Sequence, residues 1–547
     1  MVSDVLAILG SETATFEDIL TKKALNKALD EVRHPFVNIA DAWTSFLFGR
    51  SCSDYESALS APDLARDWRL DIGADHHFFH WELEFPEVYF TATGSRKDSQ
   101  GFSAVIGNPP YVDSETMTRL SPQLRHACTV LLDGCSGNWD LFCAFIDRGV
   151  SLLAPLGLYS QILPNKLLAA DYASAVQTIM LQNRLIGIRD YSRVPVFPGV
   201  AVYPIVPSVA RRVARPDDTL RVEICELGAQ GQIQIARSHE FSIEILKHLP
   251  GSSWSPILSP DWPILARILE NSVPLELVCD VRGAATVAEA YEIKEIITEQ
   301  RGPTVPPDHA RLVNSGTIDR YSVLWGERPT RYIKDSYDFP VVNLPWLRAV
   351  SGTRALEAIS SKLVVAGMTK VLEAIYDEGG VLAGKSTVLI LDDSKLRLLF
   401  LLGLLNSRVT TYAFRRMYDS IALQGGYLRV GPPQIRTIPV PKALTGQILP
   451  NDPSALLSAS PLVTYEGLVR RLATRIPLSH DDSLDAVGLV ASCAAVLMNG
   501  DSLSKASADE LDNTIDQAVG RLYGLTAGNV SAISRWYEQG NPQLVVA

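Results

Sequence analysis

The chain has 547 residues, 47% of them hydrophobic and 20% charged, which gives length for several domains and apolar content for packed cores. Its net charge of −11 excludes a uniformly basic nucleic-acid binder, and its longest apolar runs, Leu398 to Leu405 and Val487 to Met498, fall short of the ~20 residues that cross a bilayer. The seven cysteines contain no Cys-x-x-Cys pair, and Cys128, Cys135 and Cys143 are too loosely spaced for a zinc knuckle, so they read as reduced core residues of a cytoplasmic protein.

The first 78 residues read helical. Thr15 to Val32 spaces apolar positions between charges, and Phe36 to Phe48 is apolar-rich. His76-His77-x-x-His80 has metal-like spacing, but no partner ligands accompany it and no metal is expected. Phe102 to Ile106 is a short apolar run that predicts a buried strand, and it leads directly into Gly107-Asn108-Pro109-Pro110-Tyr111. Asn138-Trp139-Asp140-Leu141-Phe142 opens a helix, Leu158 to Leu168 predicts a strand running into a helix, and Val194 to Val200 precedes another apolar strand. Arg212 to Pro263, with Pro250-Gly251-Ser252-Ser253, reads as a mixed connector.

Charge is uneven beyond that point. Between Arg301 and Gln447 there are 19 Lys+Arg against 12 Asp+Glu, a local +7 that leaves −18 for the rest. A basic face inside an acidic whole can still displace counterions from phosphates. Pro450 to Pro461 predicts a linker, and Val463 to Ile476 and Leu511 to Tyr523 predict amphipathic helices.

The Asn-Pro-Pro-Tyr loop carries the chemistry. A nucleobase amine is a poor nucleophile because its lone pair is delocalised into the ring. Two acceptors on its hydrogens would localise that pair, and the Asn108 side-chain oxygen and Pro109 carbonyl suit the task. Pro109 and Pro110 restrict the loop before any ligand arrives. Tyr111 offers a flat face for a base. The bland alternatives are an ordinary turn or a proline-rich recognition peptide.

On these residues the chain resembles the adenine-specific DNA methyltransferases of type IIG restriction–modification systems and their TaqI-like relatives. Phe79-His80-Trp81-Glu82-Leu83-Glu84-Phe85-Pro86 resembles the segment that precedes the loop in those enzymes, and Ala40-Asp41-Ala42-Trp43-Thr44 resembles part of their insert. The resemblance implies catalysis by Asn108, Pro109, Pro110 and Tyr111, with the target adenine flipped out and stacked between Tyr111 and Phe197. It implies S-adenosyl-L-methionine as methyl donor and double-stranded DNA as partner. Val278 to Gly283, Leu312 to Tyr321 and Leu402 to Pro441, including a turn at Gly425-Gly426-Tyr427, resemble pieces of a target-recognition domain, with Arg328, Arg331, Lys334, Arg415, Arg416 and Arg429 as candidate DNA contacts.

The family's glycine-rich cofactor turn is not found in residues 1 to 105, so cofactor-binding residues stay unassigned and the chain is expected to start within the insert. Three explanations stand open: a partner polypeptide supplies the cofactor half, the gene is a truncated remnant, or the true start lies upstream. Glu292-Ile293-Lys294 is a nuclease-like match without a clear upstream Asp, so cleavage is not expected. The expected fold is α/β: a partial Rossmann-like methyltransferase domain, an α/β target-recognition domain and a helical tail. The expected boundaries are 1–78 insert, 79–225 catalytic half, 226–263 connector, 264–447 recognition and 448–547 linker with helices. The competing function is a DNA-specificity subunit without its own catalysis.

Overall fold

Thr15 starts the first long helix by reciprocal capping. Its hydroxyl accepts from the Asp18 amide at 3.2 Å, and the Asp18 carboxylate accepts from the Thr15 amide at 2.7 Å. The computed structural model describes residues 1–11, 13–48, 55–56, 59–60, 78–197, 203–249, 253–418, 427–444, 478, 480–499 and 503–539. His76, His77, Pro198 to Val200, the turn at Gly425-Gly426, the predicted linker from Pro450 to Pro461 and the predicted helix from Val463 to Ile476 lie outside those residues. The chain divides into two compact units, Met1–Glu244 and Ile245–Ala547. The predicted connector is therefore shared: its strand Ile233–Ser242 belongs to the first unit, and residues from Ile245 onward belong to the second.

In the first unit, helices Val2–Gly10 and Phe16–Ser45 precede the sheet. His80 bonds the Asp41 carboxylate at 2.7 Å, and Arg33 pairs with Glu84 at 2.6 Å. These contacts tie the long helix to the segment before β1. Trp81, Phe85 and Tyr89 in that segment pack their rings around Phe102, with centroids 5.6, 5.3 and 6.1 Å away. The aromatic motif thus anchors the start of β1.

The sheet has seven strands: β1 Phe102–Gly107, β2 Leu153–Gln161, β3 Leu163–Pro164, β4 Arg184–Asp190, β5 Pro204–Ala210, β6 Thr219–Leu227 and β7 Ile233–Ser242. Their order is β1-β2-β5-β4-β6-β7, with β3 paired to β5. β1 runs parallel to β2, and β4 to β6; β5 lies antiparallel between β2 and β4. The expected Rossmann-like half is thus a mixed sheet, because the chain after β4 doubles back rather than crossing over.

Its two faces differ sharply. Tyr159, Val209, Leu185 and Val222 are fully buried on one face, on the side of helices Phe142–Ser151 and Ser174–Gln182. Gly149 permits close helix–sheet packing, since a Cβ there would sit 2.7 Å from the Tyr159 ring. The opposite face carries the cross-strand row Ile106, Ser160, Ser208, Gly187, Arg221 and Glu240, none of them buried. Ile106 and Leu158 are 82% and 51% exposed there. Among the described residues no strand pairs with the outer edge of β1.

The second unit holds two four-stranded sheets. One orders Ala374–Asp377, Lys362–Ala366, Thr387–Leu391 and Asp280–Gly283, all antiparallel. The other orders Ile297–Glu299, Pro340–Asn343, His309–Val313 and Val381–Ala383. Helix Lys395–Asn406 is buried along nearly its whole length and packs on His480–Met498. Helix Lys505–Leu522 joins this unit through Asp512, paired with Arg320 at 2.7 Å, and Asp516, which accepts the Arg408 amide at 2.8 Å. Among the described residues no helix is long and apolar enough to cross a membrane. Glu292 and Lys294 lie on a helix, and Lys294 pairs with Asp335 at 2.9 Å, so that Glu-x-Lys match has no strand context.

Lys362 is buried in the first of these sheets. Its ammonium donates to Asp377 and to the Ser360 carbonyl at 3.2 Å, while the same Asp377 oxygen accepts the Val381 amide at 3.2 Å. Burial pulls the Lys362 pKa below its usual value, and Asp377 opposes that pull. Lys362→Met is expected to strand the Asp377 carboxylate and destabilise the unit by ~3–5 kcal/mol. Lys362→Met with Asp377→Leu should recover most of the loss. Hydrogen exchange of the Leu363–Val365 amides measures both.

Candidate active site

β1 ends at Gly107, and the next four residues belong to no helix or strand. Asn108 and Pro110 are exposed, Pro109 is buried and Tyr111 is half-buried. The Tyr111 hydroxyl donates to the Ile162 carbonyl at 2.8 Å, and the Ile162 amide donates to the Gly107 carbonyl at 3.0 Å. Strand and loop are thereby stitched to the segment that leaves β2. Burial pushes the Tyr111 phenol up to about 12, so it remains a neutral donor at physiological pH.

The far end of the loop hangs on Asp140. This carboxylate is 6% exposed. One oxygen accepts the Ser114 amide at 3.2 Å; the other accepts the Tyr172 hydroxyl at 2.6 Å and the Lys166 ammonium at 3.2 Å. Beside it, the Leu141 amide donates to the Val112 carbonyl at 2.9 Å. Lys166 belongs to the short 3-10 turn Asn165–Leu168 after β3, where the strand was expected to run into a helix. Its charge also helps hold the Asp113 carboxyl below the usual range, after the stronger hydrogen bonds from Thr116. Tyr172 escaped the sequence reading because nothing local marks it; Asp140 and Lys166 lay within the recognised runs Asn138 to Phe142 and Leu158 to Leu168, which gave neither of them a role.

The structure brings Tyr111 and Phe197 together. Their ring centroids are 6.4 Å apart with planes at 84°, an edge-on contact rather than two parallel walls. Sandwiching a base between them requires one ring to turn.

Of the basic candidates in the second unit, Arg328 and Arg331 are exposed and line a common cleft. Lys334 is exposed in the turn between strands Thr330–Tyr332 and Asp335–Tyr337 and does not line that cleft. Arg415 is half-buried and donates to the Lys370 carbonyl at 3.4 Å. Arg429 falls on the short strand Leu428–Arg429, its side chain outside the description. Arg416 is a correction. Its guanidinium pairs with Asp261 at 2.7 Å, both groups are largely buried, and it stacks 5.6 Å from the Tyr412 and Trp536 ring centres. An arginine so engaged is a packing group, and its position on helix Arg408–Tyr418 turns it inward.

Comparison with known proteins addresses this loop directly. Residues 40–197 match the family model described as Eco57I restriction-modification methylase. The match opens in the long helix beside Asp41, spans the Asn108–Tyr111 loop and Asp140, and stops at Phe197. Type II restriction enzyme and methyltransferase RM.Eco57I of Escherichia coli is 25% identical over 83 residues, 15% of this chain and 8% of that protein. Among solved structures, the type IIG restriction endonuclease BpuSI shows 13% identity and a TM-score of 0.28, covering 78% of this chain and 54% of its own. The type IIL restriction-modification enzyme MmeI, solved with DNA, shows 11% identity and a TM-score of 0.28, covering 80% and 57%. The chain thus spans little more than half of either structure, and likeness of this grade places no side chain.

Asp140→Ala should free the loop's far end. Faster hydrogen exchange at the Ser114 and Leu141 amides is expected, by at least ~10-fold for loss of one charge-assisted bond. Tyr172→Phe, which removes one of the three donors, should give a smaller effect in the same direction.

Proposed function

We propose that this chain is the catalytic and target-reading part of a site-specific DNA adenine-N6 methyltransferase of a restriction–modification or defence system. The observation that carries the reading is the Asn108–Tyr111 loop at the end of β1, held by Ile162 on one side and Asp140 on the other, with Phe197 across from Tyr111. A flipped adenine would place its amine hydrogens on the Asn108 side-chain oxygen and the Pro109 carbonyl. That geometry draws the amine lone pair out of conjugation. Tyr111 stacks one face of the base, and Phe197, after turning, covers the other. Because the loop is pre-ordered, little reorganisation accompanies the reaction. Duplex DNA is the expected substrate, and Arg328, Arg331 and Lys334 are its expected cationic contacts.

S-Adenosyl-L-methionine would supply the methyl group. The described residues beside the loop do not themselves fit that cofactor, because β1 is an edge strand and Ile106, two residues before Asn108, is 82% exposed where a pocket wall would be needed. We therefore assign the cofactor to a half outside the described residues, whether on a partner or on the same polypeptide. Two features support it. Parallel strands are ordinarily covered on both faces, yet the β1–β2 pair leaves one face open. The helix Phe16–Ser45 also exposes Phe16, Leu20, Val32 and Phe36. The basic cleft of the second unit sustains the alternative reading, a specificity subunit that binds chosen sequences and transfers no methyl group with any partner.

Asn108→Ala is expected to lower N6-methyladenine formation in the active assembly at least ~100-fold, as for loss of a pre-placed polar group at a reacting atom. Tyr111→Ala and Phe197→Ala should weaken it less. Measurement is by mass spectrometry of digested duplex DNA. Full methylation by the Asn108→Ala assembly would sink the assignment.

A further inference from the structure

The second unit holds an open cleft of about 1080 Å³. Nineteen residues line it, among them Arg328, Arg331 and Lys385, and none is Asp or Glu, in a chain whose 61 acidic residues outnumber its 50 basic ones. Arg328 lies within the field of half-buried Glu373, whereas Arg331 and Lys385 have no ion pair with any described residue. All three cations are exposed.

Two side chains fix the walls. The Asn314 amide donates to the Arg331 carbonyl at 2.8 Å and its oxygen accepts the Ser386 amide at 3.3 Å. The Ser315 hydroxyl donates to the Ser386 carbonyl and accepts the Gly367 amide at 2.9 Å. A side chain at Gly367 would collide with the Ser386 carbonyl, so only glycine lets these backbones meet. Lys385 and Arg331 are consequently carried on two segments clamped to a common brace.

The same brace sets the chemistry of the cleft. The Asn314 oxygen is engaged by Ser386, the Ser315 hydroxyl is used both as donor and as acceptor, and the Gln434 side-chain oxygen accepts the Gly431 amide at 3.0 Å. The Asn314 and Gln434 amides are each pinned by a bond to backbone, so neither is free to turn its oxygen and nitrogen together onto a base, and with no carboxylate on the wall the charged groups, a lysine and two arginines, can only donate. A wall whose charged groups are all donors and which holds no acid complements an edge that offers two acceptors. In the major groove that edge is guanine, through N7 and O6; adenine requires an acceptor as well, and cytosine presents an amine.

We infer that this cleft reads a guanine on the major-groove edge of a G·C pair within the recognised duplex, with Arg331 and Lys385 as the reading residues. The inference rests on the proposed action on duplex DNA, but not on methyl transfer. Arg328 flanks the reader, and the brace fixes the backbone from which the two cations project.

The test is selection of duplexes from a randomised library by the full-length chain at fixed salt, followed by affinities for single-pair variants of the selected site. The wild-type chain should select a sequence with an invariant G·C pair. Arg331→Ala or Lys385→Ala should lose roughly 5- to 150-fold discrimination at that pair, with preferences elsewhere retained. Both side chains are exposed, so thermal stability should not change. Ser315→Ala, which loosens the brace, should blunt the same preference less strongly. Uniform weakening on every sequence with a shallower salt dependence would make the cleft a phosphate clamp and overturn the inference. A selected site with no invariant G·C pair, or no selective binding at all, would overturn it too. Selective binding by a chain that methylates nothing in any assembly would remove the proposed catalysis and leave this inference standing.

Discussion

The geometry of the candidate active site depends on one buried carboxylate. Asp140 holds the Ser114 amide, the Lys166 ammonium and the Tyr172 hydroxyl together, and so joins the end of the Asn-Pro-Pro-Tyr loop to the turn that follows β3. A carboxylate with little exposure is tolerated only when such donors replace the lost water. The proline pair narrows the conformations of the loop, but prolines cannot aim it. The aim comes from Asp140 at one end and from the bond between Tyr111 and Ile162 at the other.

A second constraint is the uneven covering of the first unit's sheet. One face is packed by helices, while the other presents apolar side chains beside β1 and charged ones toward β7, where Arg221 meets Glu240 at 3.3 Å and Arg189 meets Glu223 at 2.6 Å. Ion pairs of that exposed kind contribute little stability, yet they keep a sheet face wettable. The apolar part near Ile106 has no such protection. That contrast gives the proposed cofactor half a physical place: it would extend the sheet where hydrophobic surface is open.

Charge in the second unit illustrates how composition misleads. The local +7 suggested a broad basic face. Part of that excess is spent inside the fold on acids from outside the window, where Arg320 pairs with Asp512, Arg408 with Asp516 and Arg416 with Asp261. Three of the exposed cations, Arg328, Arg331 and Lys385, share a cleft wall that holds no acid. The relevant quantity for nucleic-acid contact is therefore the set of unpaired cations on one surface, and a sequence count does not give it.

The sequence by itself determined the strand, the loop and their order, but the strand expected to be buried has no buried residue, because it lies at the sheet edge with one face open. An apolar run ending in Asn-Pro-Pro-Tyr is a local signal, because proline restrictions and strand patterning act within a few residues. The helical spacing of Thr15 to Val32 was legible for the same reason, although the helix continues through Pro35 to Ser45, as was the placing of Phe197 downstream of the loop. Only the tertiary structure decided which distant groups meet. It brought Asp140 to Lys166 and Tyr172, turned Arg416 into the core, set Tyr111 and Phe197 edge-on, and clamped Arg331 and Lys385 to a common brace. Those outcomes depend on desolvation and on pairing between residues tens to hundreds of positions apart, and no local pattern encodes them.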